Sequence, residues 1–339
     1  MSSIRVVQLW HPERGRRVAR VEEPKLRLLQ GSSSLYGYGW EAVAHQCSLA
    51  ELISGAPTED DLDYDAVYEG TSEWKLLPAF DHPLDPARCF VSGTGLTHDN
   101  SARSRHQMHS STGAMPAKAT DSSIMFHWGK EGGKPGPGKV GVRPEWFYKG
   151  DGSSLRACGE AIQTQGFSLR CGEEAEIVGL YLIGADGKPY RIGFAAGNEF
   201  SEHELEEKNY LYLAQSKLQQ ASIGPEALIG SLPEALEGTV GIYRGGEKQW
   251  EAAIASGEKN MTHTIENLEH HHFKHPRNRR PYDAHLHFFG ADAFSSGSGI
   301  RLCNGDVMRI EWRGMGRALR NPLQCLDKEE DAFVTVAPL

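Results

Sequence analysis

The stretch Glu174-Ala175-Glu176-Ile177-Val178-Gly179-Leu180-Tyr181-Leu182-Ile183-Gly184 places two carboxylates, two residues apart, at the head of an apolar run. Side chains alternate faces along a β-strand, so Glu174 and Glu176 point the same way into whatever that face encloses. Two like charges side by side repel unless a proton or a cation lies between them. A hard divalent ion bound by oxygen resolves the conflict. A third carboxylate, Glu199, follows the next apolar segment in Gly193-Phe194-Ala195-Ala196-Gly197-Asn198-Glu199. The three read as one metal site.

Composition narrows the classes around this site. The 339 residues suit one large domain with a smaller companion. Thirty-six lysines and arginines against 45 aspartates and glutamates leave a net charge of −9, which argues against a nucleic-acid or anionic-membrane surface. The basic patch His275-Pro276-Arg277-Asn278-Arg279-Arg280 is too short to reverse that and reads as a solvated loop. The first residues lack the apolar core of a signal peptide. The longest apolar run falls well short of the ~20 residues of a membrane helix. Six cysteines are scattered without a C-x-x-C pair, which implies neither a disulfide framework nor a zinc knuckle and suits a reducing cytoplasm. The 38 glycines fall mostly between short apolar runs, the pattern of many strands and turns.

Along the chain, residues 1–86 read as a small β-rich N-terminal domain and 87–339 as a larger second domain, joined near the Pro-rich Asp81-His82-Pro83-Leu84-Asp85-Pro86. Strands are predicted at Ile4–Leu9 and Arg17–Val21, a helix from Tyr38 to Gly55 and an acidic loop from Glu59 to Asp65. The polar stretch from Asn100 to Ser123 suggests a short helix and a mobile loop. Residues Gly129 to Lys139 read as a flexible connector, since no phosphate-binding glycine pattern is present. Further strands are expected around Glu145 to Lys149, Glu174 to Gly184 and Arg191 to Ala196. Ser201 with Glu204 makes a capping-box pattern for a helical patch ending near Leu211. Of the histidines, His270, His271 and His272 are adjacent and diverge on either a helix or a strand, so they do not make a second metal site. His285 and His287 share a strand face, where they either line the pocket or pack in the core.

Four blocks, in order, carry a resemblance to the fumarylacetoacetate hydrolase superfamily. Pro144-Glu145-Trp146-Phe147-Tyr148-Lys149 is similar to its P-x-x-F-x-K strand, and Glu174-Ala175-Glu176 to its E-x-E strand. Gly197-Asn198-Glu199-Phe200-Ser201 is similar to its A-N-D-V-S turn. Gly305-Asp306-Val307, Gly314-Met315-Gly316 and Leu319-Arg320-Asn321-Pro322 resemble its closing G-D-V and G-I-G-x-L-x-N-P. Together they span about Phe90 to Leu323. Tyr210-Leu211-Tyr212-Leu213-Ala214-Gln215-Ser216-Lys217 and Gly95-Leu96-Thr97-His98-Asp99 resemble the sugar-acid branch, the dehydratases of 2-keto-3-deoxy acids such as 2-keto-3-deoxy-D-arabinonate. Two positions depart: the third ligand, aspartate in the family, is Glu199, and the threonine of a substrate turn is replaced by Ala291 in Gly290-Ala291-Asp292.

The resemblance implies an α+β, β-rich fold: a rolled mixed β-sheet of the fumarylacetoacetase type behind a small N-terminal domain, paired as a homodimer. It implies Mg²⁺, with Mn²⁺ or Ca²⁺ as alternatives, held by Glu174, Glu176 and Glu199. A 2-keto acid chelates such an ion through its carboxylate and carbonyl oxygens, which acidifies the C3 proton. Lys217 then serves as a catalytic and substrate-binding cation and Lys149 as a second substrate contact. His98 and Asp99 are the acid/base candidates, with His106 and His109 in reserve. The expected reaction is dehydration of a 2-keto-3-deoxy-pentonate to 2-oxoglutarate semialdehyde in non-phosphorylative pentose catabolism. The alternatives are C–C cleavage of a 2,4-diketo acid (acylpyruvase type) and a non-catalytic sugar-acid binding protein.

Overall fold

A computed structural model describes residues 3–100, 120–327 and 333–339. Its α+β architecture is dominated by one large mixed sheet. Strands β1 (Ile4–His11), β2 (Gly15–Glu22), β3 (Lys25–Leu29) and β4 (Thr58–Asp63) form an antiparallel meander, with the short β5 (Lys75–Leu76) against β1. The meander does not stand apart. Ile4, Arg5 and Val6 of β1 pair antiparallel with Ile229, Leu228 and Ala227 of β12 (Ala221–Ile229). From β12 the sheet continues through β11 (Pro189–Asn198), β10 (Ala175–Ile183), β15 (Ala284–Phe288), β6 (Cys89–Gly93) and β7 (Phe147–Asp151). The β15–β6 pairing is parallel. The two-residue β8 (Leu155–Arg156) joins the side of β12. A five-stranded second sheet runs in the order β14 (Glu247–Ser256), β13 (Leu236–Arg244), β16 (Val307–Trp312), β17 (Leu319–Cys325), β9 (Ile162–Thr164).

Every residue of β10 is buried, which requires cover on both faces of the sheet. On one face Ala175 and Ile177 join a core with Val240, Ile254, Ile310 and Trp312 of the second sheet. On the other, Val178, Leu180 and Leu182 pack with Leu35, Tyr38 and Ile53 from two helices, Leu35–His45 and Leu49–Gly55. The first helix sits so close that a Cβ on Gly39 would lie 2.6 Å from Ile192 Cδ1 and Leu182 Cδ2. Any larger residue there would push the helix off the sheet, which makes that glycine a packing requirement.

Several local expectations are revised. The helix predicted from Tyr38 to Gly55 is two helices. Gln46 closes the first with φ 52°, and Ser48 with Glu51 forms a capping box that starts the second. The acidic segment after Pro57 is mostly the edge strand β4, because Glu59 and Asp60 pair with Arg14, and Asp61 with Lys25 and Arg27. Cross-strand charge pairs let a polar run join a sheet edge. The glycine-rich connector is helical in its first part, within a helix from Asp121 to Gly132. Ser201 does not cap the helix His203–Lys208, whose N-cap is Glu202 without a side-chain bond. Its hydroxyl is used elsewhere, as described below. Of the stretch from Asn100 to Ser123, residues 101–119 lie outside the described residues, and His106 and His109 with them.

Candidate active site

The antiparallel pairing of β10 and β11 brings the acidic residues together. Ala175 lies opposite Asn198 and Glu176 opposite Gly197, so the start of β10 meets the end of β11. Glu199 N donates to Glu174 O at 2.9 Å, and Glu174 N to Asn198 Oδ1 at 3.2 Å. These bonds hold the backbone just beyond the strand ends. Glu174, Glu176 and Glu199 each present one oxygen, all within 4.8 Å of one another, and all three residues are buried. Alternation sends the neighbouring Glu173 elsewhere, to accept bonds from Ser295 N and Oγ at 2.7 Å.

Two buried lysines close the cluster. Lys217 Nζ donates to Glu174 Oε1 and Glu199 Oε2, both at 2.7 Å, and to Ser201 Oγ at 3.0 Å. Lys149 Nζ lies 2.6 Å from Glu199 Oε1 and also donates to Phe200 O at 2.5 Å and Lys217 O at 3.2 Å. An ammonium has three donors. Both lysines therefore spend theirs inside the cluster, where they hold carboxylates in place. Lys149 comes from β7, four strands away from β11 in the sheet order, yet touches Glu199. Only a rolled sheet allows that contact.

With all groups ionised, three carboxylates and two ammoniums leave one negative charge in a buried space. The strain falls on Glu176. Burial, then the charges of Glu199 and Glu174, push its carboxyl well above the usual range of 4.5, against a single backbone bond from Gly290 N at 2.7 Å. Burial also lowers Lys149 from 10.5, with Glu199 acting against the drop. Such a site accepts either a proton on Glu176 or a cation among the carboxylates. The donor set, three carboxylates among the described residues, fits Mg²⁺, Mn²⁺ or Ca²⁺. Glu174, Glu176 and Glu199 would hold the ion.

Further side chains brace this centre. His203 Nε2–H donates to Glu174 Oε1 at 3.1 Å, and its Nδ1 accepts from Ser296 Oγ at 2.5 Å. Ser201, which reads as a helix cap from sequence, donates to Glu199 and accepts from Lys217. A single histidine in an acidic helix carries no motif, and the block that contains Ser201 does not say that its hydroxyl braces Glu199; the fold reveals both contacts.

The acid/base candidates lie in the loop after β6. His98 is buried; its Nδ1 bonds Thr97 Oγ1 at 2.8 Å and its Nε2 contacts Ser256 Oγ at 3.3 Å. Thr97 Oγ1 donates to Phe289 O at 2.6 Å, which assigns the proton of His98 to Nδ1. Burial lowers His98 from 6.5 to about 4, so it is neutral. The loop abuts the carboxylates through Gly290, where a Cβ would meet Thr97 Oγ1 at 2.0 Å. Asp99 is different. Its side chain is 57% exposed and pairs with Lys130 at 2.8 Å, at the rim rather than inside the carboxylate cluster. Ala291 is buried in the turn between Gly290 and Asp292, whose carboxylate accepts from Ala255 N at 3.0 Å.

A large mixed sheet backed by a second, smaller sheet is a fold that this chain shares with solved enzyme structures. Across 96% of this chain and 100% of the other, the structure matches 2-keto-3-deoxyarabinonate dehydratase with a TM-score of 0.69 at 18% identity. A second structure of that dehydratase, complexed with magnesium and 2,5-dioxopentanoate, matches with the same coverage, TM-score and identity. The 2-hydroxyhepta-2,4-diene-1,7-dioate isomerase of Mycobacterium marinum matches over 95% of this chain and 98% of its own, with a TM-score of 0.56 at 14% identity. No family model and no curated protein sequence matches the chain. Among the described residues, no helix is long and apolar enough to cross a membrane.

Proposed function

We propose that the protein is a divalent-cation-dependent dehydratase that converts a 2-keto-3-deoxy-pentonate to 2-oxoglutarate semialdehyde. One observation carries this reading: three buried carboxylates within 4.8 Å of one another, beside two buried lysines, in the fold of a dehydratase solved with magnesium and 2,5-dioxopentanoate. When bound by Glu174, Glu176 and Glu199, the cation supplies Lewis-acid polarisation of the substrate's 2-keto group.

The chain's own residues do the rest. Lys217 places positive charge beside the C2 oxygen as electron density moves there, and Lys149 keeps Glu199 in position. Asp99 or His98 removes a proton from C3 and delivers one to the departing C4 hydroxyl, so that one water leaves. The 5-hydroxy-3-ene that remains moves a hydrogen from C5 to C3, and its enol gives the aldehyde. Hydrophobic packing behind β10 excludes bulk water from the cluster. The same reading includes a homodimer assembled through residues 87–339, a division of the chain at residue 86, and a cytoplasmic location. Light scattering, expression of residues 87–339 alone and cell fractionation test these in turn.

The deciding experiment incubates the protein with Mg²⁺ and either a 2-keto-3-deoxy-pentonate or an acylpyruvate. Semialdehyde formation supports the dehydratase. Pyruvate release from the acylpyruvate would replace it with the hydrolase, and tight binding without turnover of either would replace it with a sugar-acid binding protein. Asp99→Asn separates the proton carriers: turnover is expected to fall by ~10²–10⁴-fold, with substrate affinity retained. An unchanged rate would remove Asp99 from the proton transfer.

A further inference from the structure

The strand that carries Lys149 has a second working face. Lys149 and Phe147 of β7 are buried, whereas Tyr148 and the preceding Trp146 are 40% and 41% exposed. These two, with Phe90, form one wall of a cavity of about 550 Å³ whose rim carries Arg143, Lys274 and Arg277. Pockets of this volume hold small organic ligands.

Three features define what would fit. First, the lining contains no aspartate or glutamate, although acidic residues outnumber basic ones in the chain. Among the described residues, none of Arg143, Lys274 and Arg277 has a carboxylate within ion-pair distance, while most of the other arginines do. Lys274 Nζ instead contacts His271 Nδ1 at 2.7 Å. Its pKa is lowered from 10.5 by partial burial and by the positive charge of Arg143. Convergent cations without counter-ions attract a multiply charged anion.

Second, the aromatic wall is fixed. Trp146 Nε1 donates to His272 Nδ1 at 3.1 Å, and the Trp146 and Phe90 rings lie at 28° with centroids 6.3 Å apart. An exposed indole anchored at its polar atom is a preformed stacking surface, with little freedom left to lose on binding. Third, the anchor itself is rigid: His272 is buried, its Nε2 bonds His285 Nδ1 at 3.0 Å, and its carbonyl accepts from Asn278 Nδ2 at 2.9 Å.

We propose that this cavity binds a small molecule joining a planar ring to two or more negative charges, the ring on Trp146 and Tyr148 and the anion on Arg143, Lys274 and Arg277. A nucleoside diphosphate and an aromatic polycarboxylate share this chemistry. The site lies across β7 from the carboxylate cluster and is independent of the proposed dehydratase activity.

Isothermal titration of the full chain tests it. Four probes are used without divalent cations, so that none is held at the carboxylate trio: ADP, benzene-1,3,5-tricarboxylate, adenosine and inorganic phosphate. ADP or the tricarboxylate should bind at least ~10-fold more tightly than adenosine or phosphate, since each of those keeps only one half of the recognition. Arg277→Ala and Trp146→Ala should each weaken the preferred probe by about 10-fold or more. Which of the two ring-bearing anions binds identifies the source. No binding of either at millimolar concentration, or binding unchanged by both substitutions, overturns the proposal. So does light scattering in which Trp146→Ala or Arg277→Glu splits an oligomer while no probe binds, for the cavity would then be a contact between copies. Circular dichroism on each variant shows that a lost signal is not lost folding.

Discussion

The molecule buries two polar clusters, and they settle their charge in opposite ways. The acidic one gathers Glu174, Glu176, Glu199, Lys149 and Lys217, with short ion pairs that leave one negative charge over. The other gathers His285 and His287 of β15, the neighbour of β10, with His272 from the helix Ile265–Phe273. Trp146 donates to His272, His272 to His285, and His287 bonds Ser92 at 2.9 Å and Thr94 at 3.0 Å. Burial drives His285 and His287 down to about 3 from 6.5, and His272 well below its ordinary value. The histidines are thus neutral and largely satisfied as they stand. The imidazoles bond to one another and to hydroxyls, whereas the three carboxylates at the start of β10 and the end of β11 form a cluster that is short of positive charge. Residual charge, more than the count of metal-binding residue types, marks the place where an ion belongs.

The largest effect that would break this contrast is at Glu176. Glu176→Gln removes the surplus charge and one oxygen donor, so Mg²⁺ affinity should drop by more than ~100-fold and turnover fall with it. In the unaltered protein, the raised pKa of Glu176 means it holds a proton at pH values where an ordinary glutamate does not. Uptake of Mg²⁺ must expel that proton, and affinity must decline as pH falls. Titration calorimetry in two buffers of different ionisation enthalpy measures both. An absence of proton release would place the surplus charge elsewhere.

The histidine side is sharpened by pH. A histidine whose pKa falls on folding favours the native state above 6.5, and that contribution drains away as pH drops from 6.5 towards the folded value of about 3. Each such group costs about 1.4 kcal/mol per pH unit in that window. Glu173, Glu176 and Glu226 have raised pKa values and act in the opposite sense, so the informative quantity is a difference. His285→Gln should flatten the dependence of unfolding free energy on pH by about 1.4 kcal/mol per unit between pH 6 and 4. Urea melts across that range test it; an unchanged slope would mean that His285 is charged in the fold.

The smallest effect concerns a residue between the two kinds of chemistry. His203 orients Glu174 from outside the trio. His203→Ala should weaken Mg²⁺ by about 10–100-fold, with His203→Gln recovering part of it through the retained donor. Equal affinity in all three proteins would reduce His203 to packing.

Much of the acidic cluster was legible because its geometry is local or repeats along a strand. The two-residue spacing of Glu174 and Glu176 predicts a shared face, and the order of the blocks predicts the approach of Glu199. The longer arm of Glu199, where aspartate is expected, reaches both lysines. The capture of Lys149 by Glu199 was not legible, because it depends on how tightly the sheet rolls. Nor was the reuse of Ser201, since a serine before an acidic residue looks the same whether it caps a helix or braces a carboxylate. The acidic edge strand β4 was hidden for a related reason: its stabilising partners, Arg14, Lys25 and Arg27, lie more than thirty residues upstream.

The pairing of Ile4 with Ile229 has a consequence for how the protein is made. Apart from Leu9 and Trp10, which pair with β5, the outer side of β1 has no strand partner until β12 (Ala221–Ile229) has been synthesised, long after β4 ends at Asp63. During translation that side is a bare row of amides and carbonyls, open to other nascent chains. Closure over so long a loop also slows folding. This enzyme-like fold is therefore most exposed to misassembly while it is half built, before any of its chemistry exists.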